Sequence, residues 1–242
     1  PALPSASLGQ KGGPLSLAAQ KRMGHRLTSR HDSNRLLTMK DRKRAPRLPA
    51  HERRAETVRA VLELAAEQNP NEITTTSMAE RMQMTQGALF RHFPTKDAIW
   101  QAVMEWVTER ILVRVDDAAQ SSHSPLAALE AVFHAHIDFV VKHPGVPRIL
   151  FGELQRAEDS PAKRVVRTLL REYNGRLQTI IKQGQSQGEV APDVDTAAVA
   201  ALFVGMIQGL VLQSLLTDKE NSMRKKAAEV FCVYLRGIRR TP

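Results

Sequence analysis

From residue 52 onward, apolar positions recur at intervals of three and four, and no alternating Val/Ile/Thr-rich run is bounded by hairpin turns. This pattern predicts helices over Glu52–Gln68, Thr75–Met82, Gln86–Phe93, Lys96–Ala119, Pro125–Lys142, Val146–Arg156, Ala162–Gln187, Thr196–Leu216 and Ser222–Ile238. Helix breakers fall between them at Asn69-Pro70, His143-Pro144-Gly145, Ser160-Pro161, Gly188 and Pro192. The expected class is all-α, with about nine helices.

One segment is apolar all round. Eleven residues from Ala197 to Ile207 lack a polar side chain, and Gly209, Leu210, Val211 and Leu212 follow Gln208. Such a helix is buried on all sides. A membrane span needs ~20 apolar residues, about twice the uninterrupted run. Burial against the chain's own core on one face and a second subunit on the other accounts for the pattern. Gly205 and Gly209 would let a partner helix approach, with Leu212 on the same segment. In the last helix Ala227, Phe231, Tyr234 and Ile238 form one stripe, with Val230 beside it. The expected homodimer interface is therefore Gly205, Gly209, Leu212, Ala227, Phe231, Tyr234 and Ile238. The competing reading is an ordinary internal core.

The chemistry concentrates between Thr74 and Asp97, TTTSMAERMQMTQGALFRHFPTKD. The Thr75 hydroxyl can cap a helix whose apolar face is Met78, Ala79 and Met82. Gln83 and Met84 make a turn, and Thr85 can cap a second helix. Leu89 and Phe93, four apart, hold that helix inward. Gln86, Gly87, Ala88, Phe90, Arg91 and His92 are left to point elsewhere. Small residues at the start of such a helix let it approach base edges, and a glutamine amide matches adenine. Pro94 ends the segment, and Thr95 caps the next helix with Lys96 placed to meet a phosphate.

These residues resemble the tetracycline-repressor (TetR/AcrR) family of bacterial transcription regulators. The resemblance runs from Ile73 to Trp100 and extends back through the helix pattern at Glu52–Gln68. Gln83 departs from the family, which has Gly in the turn; if the position needs positive φ, the side chain costs about 1 kcal/mol. The resemblance implies a helix-turn-helix domain (residues 51–98) and a ligand-binding and dimerisation domain (99–242). It further implies a dimer on a near-palindromic double-stranded operator, its readers about 34–36 Å apart. The implied effector is a small lipophilic molecule that releases a repressor. The alternative is an architectural or chromosome-organising DNA-binding factor without small-molecule control.

Charge bears on the N-terminal part alone. The net charge is +10, and residues 1–54 hold thirteen Lys or Arg against three Asp or Glu, so the rest balances. Residues 1–50, rich in Pro, Gly, Ser, Arg and Lys, read as a disordered basic arm. Its Arg44 and Arg47 lie nearest the reader. Two readings stand: the arm contacts the neighbouring minor groove or backbone, or it is merely solvated. The segment from Met39, MKDRKRAPRLPAHERR, looks like an ordinary family N-terminus, so residues 1–38 are expected to be an extension ahead of a native start.

Other chemistry is sparse. Candidate pocket residues are Phe133, Ile137, Phe151, Leu154, Tyr173, Met206 and Gln208; Gln208 stands out because a polar group in an apolar helix needs a partner. His134, His136 and His143 lack the four-residue spacing of a helical zinc pair, so no metal is expected. No nucleophile elbow, phosphate-binding glycine loop, H-E-x-x-H or CxxC occurs, so neither enzymatic activity nor a cofactor is expected. A single cysteine, Cys232, excludes an intrachain disulfide, and with no apolar secretory core the expected compartment is the cytoplasm.

Overall fold

The computed structural model describes the backbone of residues 49–217 and 220–240. Among these residues run nine α-helices: α1 (Ala50–Glu67), α2 (Thr75–Arg81), α3 (Gln86–Phe90), α4 (Lys96–Gln120), α5 (Pro125–Lys142), α6 (Gly145–Gln155), α7 (Pro161–Ser186), α8 (Thr196–Thr217) and α9 (Glu220–Ile238). One 3-10 turn spans Pro70–Glu72. The class and helix count match the sequence reading. The basic arm, with Arg44 and Arg47, lies outside the described residues.

The helix starts follow local chemistry. The Thr85, Thr95, Ser124 and Ser160 hydroxyls accept backbone N–H bonds from Ala88, Ala98, Ala127 and Lys163. Pro occupies the first position of α5 and α7, where no N–H is needed. The cap of α2 differs from expectation. Thr74, not Thr75, is the capping residue, in a reciprocal box with Ser77. Thr75 is the first helical residue, and its hydroxyl is used elsewhere. The helix α3 stops at Phe90, three residues early, and the chain tightens there: the His92 N–H bonds to the Leu89 carbonyl only three residues back.

A small head and a larger body share one continuous packing. In the head, α1 packs on α2, and α2 on α3. Met78, Leu89, Phe93 and Ile99 are fully buried there. The body is built on α4, which packs along α5 and α7; α8 and α9 pack on each other and on α5. Its centre is an aromatic cluster. The Phe133 ring lies 5.4 Å from Phe203 and 4.8 Å from Phe231, and Phe203 lies 5.8 Å from Tyr234. Each such burial contributes roughly 1.5–3 kcal/mol. The Tyr234 hydroxyl donates to the Val199 carbonyl at 3.4 Å, tying α9 to α8. An isolated antiparallel bridge between Val190 and Arg239 fastens the end of α9 to the loop before α8.

This core corrects part of the expected interface. Ala227, Phe231, Tyr234 and Ile238 are buried within the chain itself, at 3% exposure or less. The stripe on α9 faces α5 and α8, so those side chains are not available to a second subunit.

Head and body meet closely where α6 begins. A Cβ at Gly145 would lie 2.2 Å from the Leu62 carbonyl oxygen of α1, so only glycine permits the approach. The head's own turn is less well served. Gln83 has φ of 54°, the left-handed region, and the Gln83 and Met84 N–H groups bond to the Glu80 and Ala79 carbonyls. This is a Schellman closure with a side chain where glycine is favoured. Gln83→Gly should therefore stabilise the protein by about 1 kcal/mol. Thermal unfolding of the two proteins should show the variant melting a few degrees higher.

Candidate functional site

The helix α3 presents one face outward. Thr85, Gln86, Gly87 and Arg91 are exposed, and Phe90 keeps 40% of its surface, while Leu89 is buried. Ala88 and His92 are half-buried. A bulky ring left in water beside an arginine costs apolar exposure without benefit to the fold. A Cβ at Gly87 would meet nothing within 4 Å, so no packing requires glycine there. The Gln86 amide nitrogen donates to the Thr75 hydroxyl at 2.6 Å, linking the first turn of α3 to that of α2. That bond is the use found for the Thr75 hydroxyl.

The flank of the reader is held by charge. The Arg54 guanidinium stacks 4.6 Å from the Phe93 ring centre and donates to the His92 carbonyl at 3.3 Å. Lys96 is half-buried, with its ammonium 5.6 Å from the Trp100 ring centre. Burial first, then the Arg156 charge, hold its pKa below the usual lysine range. Asp97, in the first turn of α4, accepts from Arg156 at 2.8 Å. Arg156 also donates to the buried Glu153 at 3.3 Å, and Glu153 accepts from the Ser160 hydroxyl at 2.6 Å. The start of α4 is thereby tied to the end of α6 and the start of α7. Nothing in the sequence spacing of Asp97 and Arg156 pointed to this link.

The seven candidate pocket residues fall in different surroundings: Phe133 and Tyr173 both pack on Phe203, and others lie at the surface. Phe133, Ile137 and Tyr173 are core, buried to 2% exposure or less. Phe151 and Met206 are half-buried on α6 and α8. Leu154 is 55% exposed and Gln208 is exposed, so neither is a pocket wall in the chain. Gln208 meets the need for a partner simply by facing outward. Polar groups nevertheless reach the interior of the body. The His136 Nδ1 lies 3.1 Å from the Tyr173 hydroxyl. Burial pushes the imidazole down to about 4 and raises the phenol above its usual range. Thr108 Oγ1 on α4 and Asn174 Oδ1 on α7 are buried without a hydrogen-bond partner.

A cleft of about 550 Å³ opens elsewhere, between α1, α4 and the α5–α6 corner. None of the seven candidates lines it; Arg59, Trp106, Arg110, Lys142 and His143 do. Its lining comes from separate helices, so no sequence spacing signalled it.

On α8, Leu202, Gly205, Leu212 and Leu216 are exposed, and Gly209 is half-buried. Their spacing of three and four puts them on one outward stripe. A Cβ at Gly205 or Gly209 would meet nothing within 4 Å. Val233 on α9 adds another side chain at 69% exposure. By length and composition α8 is apolar enough to cross a membrane; a third of that window is buried against the chain's own helices.

Comparison with known proteins bears on both parts. Residues 58–103 match bacterial regulatory proteins of the tetR family, and residues 122–212 match the tetracyclin repressor-like C-terminal domain. Nucleoid occlusion factor SlmA of Marinobacter nauticus is 30% identical over 172 residues, 68% of this chain and 86% of that protein. SlmA of Alteromonas mediterranea is 23% identical over 170 residues, covering 69% and 87%. Among solved structures, the fatty acid degradation regulator FadR of Bacillus halodurans superposes with a TM-score of 0.70 at 14% identity, covering 82% of this chain and 100% of that one. FadR of Bacillus subtilis, in complex with stearoyl-CoA, gives 0.68 at 16% identity, covering 76% and 98%. At these identities the structures speak to fold alone.

The buried imidazole has a consequence for stability. Between pH 6.5 and 4, the unfolded chain takes up a proton that native His136 refuses. Stability is therefore retained above the ordinary histidine pKa and lost as pH falls towards the native value. The loss from this group should reach about 2 kcal/mol between pH 7 and pH 5. Urea unfolding at the two pH values should show that difference shrinking in His136→Gln.

Proposed function

The chain belongs to the TetR family of bacterial regulatory proteins, and we propose that it is a dimeric, sequence-specific transcription regulator, a repressor released from a near-palindromic operator by a small lipophilic effector. The observation that carries the reading is the outward face of α3, with Gln86, Gly87, Phe90 and Arg91 presented while Leu89 and Phe93 anchor the helix below. A short capped helix with small residues first and an arginine later fits a major groove. Gln86 reads a base in this proposal; Thr75, Thr85 and His92 serve the backbone, and Lys96 contributes charge beside it.

Dimerisation supplies the second half-site. The exposed stripe Leu202, Gly205, Gly209, Leu212 and Leu216 with Val233 is the proposed interface, replacing the buried α9 stripe of the sequence reading. Pairing two such faces would remove apolar surface from water at roughly 25 cal/mol per Å². It also explains why α8 is apolar on a side that the chain's own core leaves open. Effector control is supported by the unpartnered Thr108 and Asn174 oxygens inside the body, since buried polar atoms call for a partner. The work is placed in the cytoplasm, where the operator is.

A second reading has its own support. The SlmA relatives are nucleoid occlusion factors, which favours a chromosome-organising DNA-binding factor without small-molecule control. Genome-wide footprinting separates the two. One or two operators beside regulated genes support the repressor; sites scattered along the chromosome support the second reading.

Two variants test the assigned roles. Gln86→Ala should relax preference at one base position, costing about 1–3 kcal/mol of discrimination in competition binding with substituted operators. Unchanged preference would displace Gln86 from the reading role. Gly205→Leu has room in the monomer and should still fold. Sedimentation should show its dimer dissociating, while its circular dichroism stays that of the parent.

A further inference from the structure

The cleft between α1, α4 and the α5–α6 corner gathers four basic side chains. Arg59 enters it from α1, Arg110 from α4, Lys142 from the end of α5, and His143 from the corner. Among the described residues Arg59, Arg110 and Lys142 stand in no ion pair, as is also true of Arg91 and Arg114 elsewhere on the surface; what sets these three apart is that they line one cleft. The one acid at the cleft, Glu63, already faces Arg81 at 3.6 Å.

Beneath the charges lies an aromatic wall. The Trp106 ring centre is 5.2 Å from His143, and the Arg110 guanidinium sits 5.6 Å from the Trp106 centre. Leu62, Val58 and Pro144 complete an apolar floor. The local field is positive enough to act on its neighbours. After burial, the charges of Arg114 and Lys142 are what hold the His143 imidazole below its usual range. About 550 Å³ falls within the range of small-molecule sites, roughly 300–1,000 Å³.

We propose that this cleft binds a small aromatic anion, its ring against Trp106 and its carboxylate or phosphate among Arg59, Arg110 and Lys142. Unpaired cations around an apolar floor ask for a ligand with one charged end and one flat apolar body. Nothing comparable is offered to a neutral lipid, for which the charged rim would be lost hydration.

The location gives binding a consequence, which rests on the proposed DNA-binding role. Arg59 and Leu62 belong to the head, and Trp106, Arg110 and Lys142 to the body. Leu62 also carries the carbonyl that Gly145 abuts, so the cleft shares a wall with a close contact between head and body. A ligand seated there favours one placement of α1 against α6, and with it one placement of the reader.

The test is calorimetry of the full chain with 1-naphthoate and 1-naphthyl phosphate, against 1-naphthalenemethanol as the neutral counterpart. One site per chain is expected, with an anion bound at least about tenfold more tightly than the alcohol, since a charge-assisted hydrogen bond is worth about 1.5–3 kcal/mol. The two anions distinguish a carboxylate from a phosphate head group. Lys142→Gln and Arg110→Gln should each weaken binding about tenfold. Trp106→Phe should keep the heat of binding and lose the ligand-induced change in tryptophan fluorescence. Equal affinity for the alcohol, or affinity indifferent to both charge variants, overturns the site. Binding of an octaglutamate peptide at these residues with no saturable binding of either naphthyl anion overturns it in favour of an acidic polypeptide. Naphthoate that binds without altering operator affinity overturns the control. If the chain binds no operator at all, the calorimetry still decides the site.

Discussion

The whole arrangement hangs on a backbone contact. At Gly145 the start of α6 presses on the Leu62 carbonyl of α1, at a distance no side chain allows. Around it, Arg156 links the first turn of α4 to the end of α6. The head therefore has little freedom of its own. Its α3 is five residues long, too short to persist alone, and it is positioned only because Leu89 and Phe93 are buried against helices that are themselves fixed to the body. A reader so held can be moved only by moving α1 or α4. On the proposed function, this is the route by which a change in the body would reach the DNA-facing surface without touching it.

The apolar inventory of α8 shows the same economy from the other side. One face closes the aromatic core with Phe133, Phe231 and Tyr234. The other is nearly as apolar and lies open in the single chain. Leaving Leu212 and Leu216 in water has no return in the folding of one subunit. In the proposed dimer a second subunit would supply the return, and it would also fix the spacing of two readers. On the proposed function, dimer, operator symmetry and the composition of one helix become a single constraint.

Much of this was legible in the sequence. Helix number and many helix ends could be read because the starts of α2, α3, α4, α5 and α7 carry a hydroxyl cap, and α5 and α7 an early proline as well, which are local signals. The positive φ at Gln83 could be anticipated only through the family resemblance, which has Gly at that turn position. The misplacements were of orientation. Thr75 and Thr74 are chemically equal candidates for one cap, and only the box with Ser77 decides between them. On α9, Phe231 and Tyr234 are apolar enough for either a core or an interface, and periodicity cannot say which neighbour a stripe meets. A polar Gln208 in an apolar helix calls for a partner from sequence alone, and periodicity does not say on which side; in the structure it faces out. The cleft at Trp106 was invisible because its cations come from separate helices, brought together by packing rather than by spacing.

The central claim, a dimer that reads sequence through α3, is tested most directly by selecting bound DNA from a random pool at two salt concentrations. The account predicts a near-palindromic motif whose half-sites lie about one helical turn apart and which survives the higher salt. Binding without a motif, lost steeply as salt rises, would contradict it and leave only charge attraction to the phosphate backbone.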